Sequence, residues 1–335
     1  MRNLWLAAAA SLSGLFCFGC PSNAANITGT TAAASAASGA ASGVSSGASS
    51  GASGSGQGAA AAGNVGTAAA GASSGGGSGA LASCKRGLAY DLASPVDQRA
   101  RIPGIGWWYN WSPTPNAGVQ GTYAALGLEF VPMQWGGSVN VATLESQIPA
   151  GAKYLLGFNE PNFVQQSNLT PQQAAALWPQ LEQVATDKGL KLVSPAVNFC
   201  GPAADCINQD TSPFDWLDQF FAACTGCQVD YLGVHIYLQN GAGLQGVLAQ
   251  YEAKYTQPIW LTEWADLGSG VSDADELTLM QQALPILEAD PRVFRYSWFT
   301  GRASSQPSLD VLGPDAGLLT TIGQTYVTGA GACTP

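Results

Sequence analysis

The chain of 335 residues carries 22 acidic against 12 basic side chains, a formal net charge of −10, and one histidine. No basic run or patch interrupts that balance, so nucleic acid is not an expected partner. One histidine gives a Ser-His-Asp hydrolase or a His-built metal centre little to work with, and no cofactor is expected.

Residues 1–20 open with Arg2, run apolar from Leu4 to Phe18 and end on Gly19-Cys20. That is the layout of a bacterial signal peptide, too short for a comfortable membrane span. Phe18-Gly19-Cys20 resembles the end of a lipobox, although Cys17 stands where Leu is usual. The expectation is an exported protein, tethered to the cell surface or outer membrane through lipidated Cys20, with plain secretion as the alternative. Residues 21–83 are almost wholly Ala, Gly and Ser, without a charge or an aromatic ring. Such a stretch has nothing large to bury and reads as a disordered linker.

Residues 84–335 are the expected folded domain. Its span is about 250 residues, the usual size of an eightfold β/α barrel. Six cysteines fall in it: Cys84, Cys200, Cys206, Cys224, Cys227 and Cys333. In an exported chain they suggest disulfides. Closeness in sequence favours Cys200–Cys206 and Cys224–Cys227, which leaves Cys84 to staple the two ends of the domain with Cys333.

Strand-like apolar runs recur through the domain at 87–90, 105–109, 128–133, 154–158, 191–196, 231–237, 258–262 and 293–298. Helical patterns alternate with most of them. Short ones are expected at 96–100, 141–148 and 247–255. Thr170-Pro171 caps and opens one that continues through Ala174–Thr186 and stops near Gly189. Phe214–Cys224 carries aromatic residues at helical spacing, and Asp273–Ala289 starts on an acidic turn. Eight buried strands alternating with helices argue for an α/β fold, a (β/α)8 barrel. A doubly wound open sheet is the alternative, but Tyr90-Asp91-Leu92-Ala93 is no glycine-rich phosphate turn.

In such barrels the chemistry sits at the carboxyl ends of the strands. Two strands end on glutamate: Glu160 after the fourth and Glu263 after the seventh. Two carboxylates facing each other across a barrel mouth are the equipment for glycoside cleavage. Trp107, Trp108, Trp111, Trp135, Trp264 and Trp298 lie at or just after strand ends. Flat apolar rings there suit pyranose stacking, the alternative being a hydrophobic cap on the barrel. His235 is either a satisfied strand residue or a contact to substrate. Gln134 and Asn198 are candidate sugar contacts. Asp91, Asp266 and Arg302 are candidates for structural pairing near the mouth.

Gly157-Phe158-Asn159-Glu160-Pro161-Asn162, Leu261-Thr262-Glu263-Trp264, Arg86-Gly87-Leu88-Ala89-Tyr90 and Trp107-Trp108-Tyr109-Asn110-Trp111 together resemble family-128 glycoside hydrolases. The resemblance covers Arg86–Tyr326. It implies a retaining β-1,3-glucanase with Glu160 as acid/base and Glu263 as nucleophile, their carboxyl groups about 5 Å apart. It further implies that Asn159 holds the sugar 2-hydroxyl, that Tyr237 aims Glu263, and that Trp298 floors the subsite of the sugar being cut. The expected partner is a β-1,3-glucan and the expected state a monomer. The alternatives are a silent glycan-binding or adhesin module, and a β-1,4- or mixed-linkage glucanase on the same scaffold.

Overall fold

The computed structural model describes residues 84–101, 104–329 and 331. The expected leader, Cys20, the linker and Cys333 lie outside the described residues, and with Cys333 the Cys84–Cys333 pairing. Cys200–Cys206 and Cys224–Cys227 are both formed, with Cα–Cα distances of 5.8 and 5.4 Å.

Eight strands alternate with helices. They are β1 (Arg86–Ala89), β2 (Trp107–Tyr109), β3 (Glu129–Phe130), β4 (Tyr154–Leu156), β5 (Lys191–Val193), β6 (Leu232–Tyr237), β7 (Ile259–Ala265) and β8 (Val293–Trp298). The helices are α1 (Pro95–Arg101), α2 (Val141–Gln147), α3 (Pro171–Lys188), α4 (Pro213–Ala223), α5 (Gly241–Lys254), α6 (Asp273–Ala289) and α7 (Thr321–Thr328). Every strand pairing is parallel.

The strands form two sheets, one ordered β3-β2-β1-β8-β7-β6 and one of β4-β5. Between the sheets the ladders reduce to single bridges: Met133 to Leu156 on one side, Val193 to Tyr231 and Val197 to Val234 on the other. A continuous closed ladder is therefore not formed. The reason lies in the sequence. The third and fifth apolar runs contain Pro132 and Pro195, which have no N–H to give a ladder. Both strands stop short of their proline.

Local rules explain the helices. Thr170 accepts from the Gln173 N–H and Gln173 reaches back, a complete capping box, and Gly189 ends α3 with φ of 67°. α5 starts at Gly241, ahead of the expected Val247. Its three glycines weaken the helical signal, but Asn240 caps it by accepting from Gly243 N at 2.8 Å. α7 has no helical signature in its β-branched, glycine-bearing sequence. Packing holds it: the Tyr326 hydroxyl donates to Gly87 O at 2.7 Å and accepts from Trp298 N at 3.1 Å.

Residues facing between strands and helices form the main core, including Leu88, Trp108, Phe158, Trp178, Leu261, Trp264 and Trp298. Inside the strands a second cluster gathers Trp107, Tyr109, Val131, Met133, Leu156, Val193 and Trp260. Gly87 lies against the Trp107 indole so closely that a Cβ there has no room. At the amino ends of the strands this inner layer closes around Arg295. Its guanidinium sits 4.8 Å from the Tyr154 ring centroid and 5.0 Å from that of Trp260, and its Nη2 reaches Glu129 at 2.9 Å.

Candidate active site

At the carboxyl ends of the strands the sequence turns polar. Past β4, Asn159 N donates to Trp135 O at 2.9 Å and Glu160 N to Ala196 O at 2.8 Å. These bonds hold Glu160 in the left-handed region, at φ of 39°. A bulky side chain rarely sits there unless the surroundings over-determine it. Pro161 and Asn162 then turn the chain away, and Asn162 Nδ2 donates to Asn198 O at 2.7 Å.

Glu263 reaches the same place by a different route. Strand alternation starting from inward Trp260 would point Thr262 inward and Glu263 out. The β7 register shifts between Leu261 and Trp264, where three steps on β7 match two on β8. That bulge turns Glu263 inward and Trp264 outward.

His235, fully buried on β6, lies between the carboxylates. Its Nδ1 is 2.9 Å from Glu160 Oε1 and 3.5 Å from Glu263 Oε2. Polar atoms of the three side chains all lie within 4.8 Å of one another, close enough to hold a metal ion or to share protons. Three further donors converge on Glu263. The Tyr109 hydroxyl and the Trp111 indole N–H each donate to Oε1 at 2.8 Å, and the Tyr237 hydroxyl donates to Oε2. Bonds from this many donors favour the anionic form and oppose the burial that raises the Glu263 pKa, which makes proton traffic the chemistry the set best supports.

Electrostatics follow from the burial. Burial pushes the Glu263 carboxyl up; the His235 charge opposes this, the Glu160 charge adds to it, and the bonds from Tyr237 and Trp111 pull it back. Burial alone would push the His235 imidazole down, but Glu263 and Glu160 outweigh it and hold it above its ordinary value of 6.5. Burial, with the Glu263 charge behind it, holds the Tyr109 and Tyr237 phenols well above the usual tyrosine range. Both therefore remain O–H donors.

Asn159 is buried beside the pair. Its Nδ2 donates to Gln166 at 3.3 Å, and its Oδ1 has no partner. Trp135 is half-buried next to it. Gln134 is half-buried, and its amide is spent on Gly136 O at 2.7 Å. Arg302 pairs with Asp97 at 2.9 Å, and Asp91 accepts from Asn116 at 3.3 Å.

Four expected sugar platforms are elsewhere. Trp108 is fully buried in the main core, edge-on to Phe130 at 5.1 Å. Trp107 is fully buried in the inner layer, edge-on to Trp260 at 5.3 Å. Trp264 and Trp298 are fully buried between strands and helices, edge-on to each other at 4.6 Å, and Trp298 Nε1 donates to Leu309 O at 2.9 Å. None can present a face to a sugar: Trp107 is sealed within the inner layer, and alternation at the strand ends points Trp108, Trp264 and Trp298 outward. At the end of β8 the half-buried Phe299 takes the inward place, 6.0 Å from both Trp111 and Tyr237 ring to ring. The cis peptide here is Phe299–Thr300. Tyr109 and Phe299 are the site residues that strand-end reading passed over. Tyr109 was visible two positions from Trp107 on the same face.

Residues 87–326 match the family described as glycosyl hydrolase catalytic core. The crystal structure of a family-128, subgroup II endo-β-1,3-glucanase from Sorangium cellulosum is 46% identical, with a TM-score of 0.69 over 73% of this chain and 98% of that one. A subgroup II endo-β-1,3-glucanase from Pseudomonas viridiflava is 38% identical, with a TM-score of 0.64 over 73% and 97%. A curated relative, alkali-sensitive linkage protein 1 of Schizosaccharomyces pombe, is 29% identical over 256 residues, which is 73% of this chain. The chain spans 44% of that relative's length.

Proposed function

Because the chain belongs to the glycosyl hydrolase catalytic core family, and within it to family 128, we propose that it hydrolyses β-1,3-glucan with retention of configuration. The substrate follows the two subgroup II relatives, both endo-β-1,3-glucanases. The observation that carries the mechanism is the carboxylate spacing: Glu160 and Glu263 bring oxygens within 4.8 Å of each other. Retaining pairs stand about 5 to 5.5 Å apart, whereas inverting pairs leave roughly 6.5 Å or more for a water.

In this reading Glu160 gives its proton to the glycosidic oxygen while Glu263 attacks the anomeric carbon. The leaving sugar departs with the proton, and a glycosyl ester on Glu263 remains. Glu160, now a carboxylate, takes a proton from water as that water attacks the ester. Asn159 Oδ1, buried and unpartnered, is a ready acceptor for a sugar hydroxyl. Trp135 and Phe299, half-buried at the mouth, are the rings that remain for stacking. The bridges at the two seams support reading the eight strands as one barrel.

The test is digestion of laminarin and curdlan beside cellulose and xylan. Soluble β-1,3-oligosaccharides are expected, and Glu160→Gln and Glu263→Gln should each lower turnover by about 10³-fold or more. The first product seen by proton NMR should be the β-anomer. An initial α-anomer would remove Glu263 as nucleophile. Binding without product would favour a silent glycan-binding module, and products from cellulose or xylan alone would exclude the β-1,3 assignment.

A further inference from the structure

Five non-glycine residues among those described have positive φ. Three are amides: Asn168, Asn208 and Gln209. The other two are Glu160 and Trp111, the latter at φ of 57°. A tryptophan gains nothing locally in that conformation, so something must hold it there. Trp111 lies two residues past the end of β2 and is half-buried. Its ring packs edge-on against Tyr109 at 5.4 Å and Phe299 at 6.0 Å, and its Nε1 donates to Glu263 Oε1 at 2.8 Å.

We propose that Trp111 is a positioning residue for the nucleophile, and that it selects which oxygen of Glu263 attacks. The proposal rests on the retaining reading above. Oε1 accepts from both Tyr109 and Trp111, so both of its in-plane lone pairs are occupied. Oε2 accepts from Tyr237 alone, with His235 Nδ1 3.5 Å away. Oε2 therefore keeps a lone pair for the anomeric carbon, and Oε1 is pinned as the carbonyl oxygen of the glycosyl ester. The groups facing Glu263 are Glu160, His235, Tyr109, Tyr237 and Trp111. Of these, Trp111 supplies an N–H that never titrates, so it favours the anion at every working pH. A stacking residue would serve the sugar through its face; here the indole edge is committed to the carboxylate.

Trp111→Phe keeps an aromatic ring and removes the donor. With laminarin, kcat/KM should fall about tenfold or more, mainly through kcat, as for loss of a bond to a charged group. Removing a donor from the ionised form raises the Glu263 pKa, so the acidic limb of kcat/KM against pH should move up by about one unit. An unmoved limb with a raised KM would make Trp111 a sugar platform and overturn the proposal. A second readout is made on the wild-type protein. In ¹⁵N-labelled wild-type protein the Trp111 indole N–H resonance should shift as Glu263 titrates, and should be insensitive over that range in Glu263→Gln. A wild-type resonance that stays flat overturns the proposal. Wild-type protein that releases no sugar from laminarin overturns the functional reading instead, and the indole titration still decides whether Trp111 serves Glu263.

Discussion

At the first turn of α6 a fully buried carboxyl, Glu276, takes no part in the active site. Its Oε2 accepts from Asp266 N at 3.2 Å, and its Oε1 has no partner. Burial pushes its pKa from 4.5 to about 8; the bond from Asp266 N opposes this, and the charges of Asp266, Asp275 and Asp273 add to it. A raised acid binds its proton more tightly when folded. Its stabilising contribution is therefore complete below 4.5 and is lost as pH rises through about 8. Glu276→Gln should match wild type in urea denaturation at pH 5 and exceed it by about 2 kcal/mol at pH 9. A gap that does not change with pH would show that the carboxyl ionises freely in the fold. Other single residues show what a sequence yields at this scale. Glu160 and Glu263 were legible as carboxylates at the ends of apolar runs, His235 only as a polar residue within one, and Tyr237 only through the family resemblance. Trp298 was not separable from Phe299, because one step along a strand exchanges its two faces. The bond from Trp111 to Glu263 depends on a left-handed turn that no residue type announces.

Between elements, the loops after β4 and β5 are stitched together. Val164 N donates to Asp205 O at 2.9 Å, Ile207 N donates to Asn162 O at 2.8 Å, and Phe163 bridges Cys206. The Cys200–Cys206 disulfide closes the second loop. A loop this short, six residues in separation, gains about 2 kcal/mol from its cross-link in the chain-entropy account. In the Cys200→Ser, Cys206→Ser double variant, hydrogen exchange at the Val164 and Ile207 amides should accelerate while strand amides stay protected. Turnover of laminarin should drop several-fold, because Glu160 stands at the root of the stitched loop. Uniform acceleration across the strands would mean that the disulfide stabilises the whole domain instead. The local pairing was readable from cysteine spacing, the start of α3 from its Thr170-Pro171 cap and the start of α6 from its acidic first turn. The β7 bulge was not, since Leu261-Thr262-Glu263 is ordinary strand sequence and only its neighbours' registers reveal the extra step.

Among the described residues the two ends of the strands differ: the carboxylate pair stands where the strands end, and an aromatic cluster fills the inside where they begin. Arg295 sits in the filled end, 4.8 to 5.6 Å from the rings of Tyr154, Trp260, Phe294 and Trp107. Its carboxylate partner Glu129 also pairs with Lys153 at 3.7 Å. Arg295→Met removes the ion pair and the ring contacts and should cost about 3 kcal/mol. For a domain of this size that is a fall in Tm of roughly 6 to 12 °C. Because the carboxylate pair is at the other end, kcat on laminarin at 25 °C should stay within about twofold of wild type. A large loss of kcat with unchanged Tm would contradict this separation. At this scale the alternation of strand and helix carried the fold class, while the breaks at Pro132 and Pro195 decided how the ladder is divided. The stitched loops have a further consequence for how such a protein can change. Neither loop can be lengthened or replaced without its partner's consent, so the wall beside Glu160 varies as one unit. Substitutions in the two loops should be non-additive, and libraries aimed at a different glucan should randomise both together.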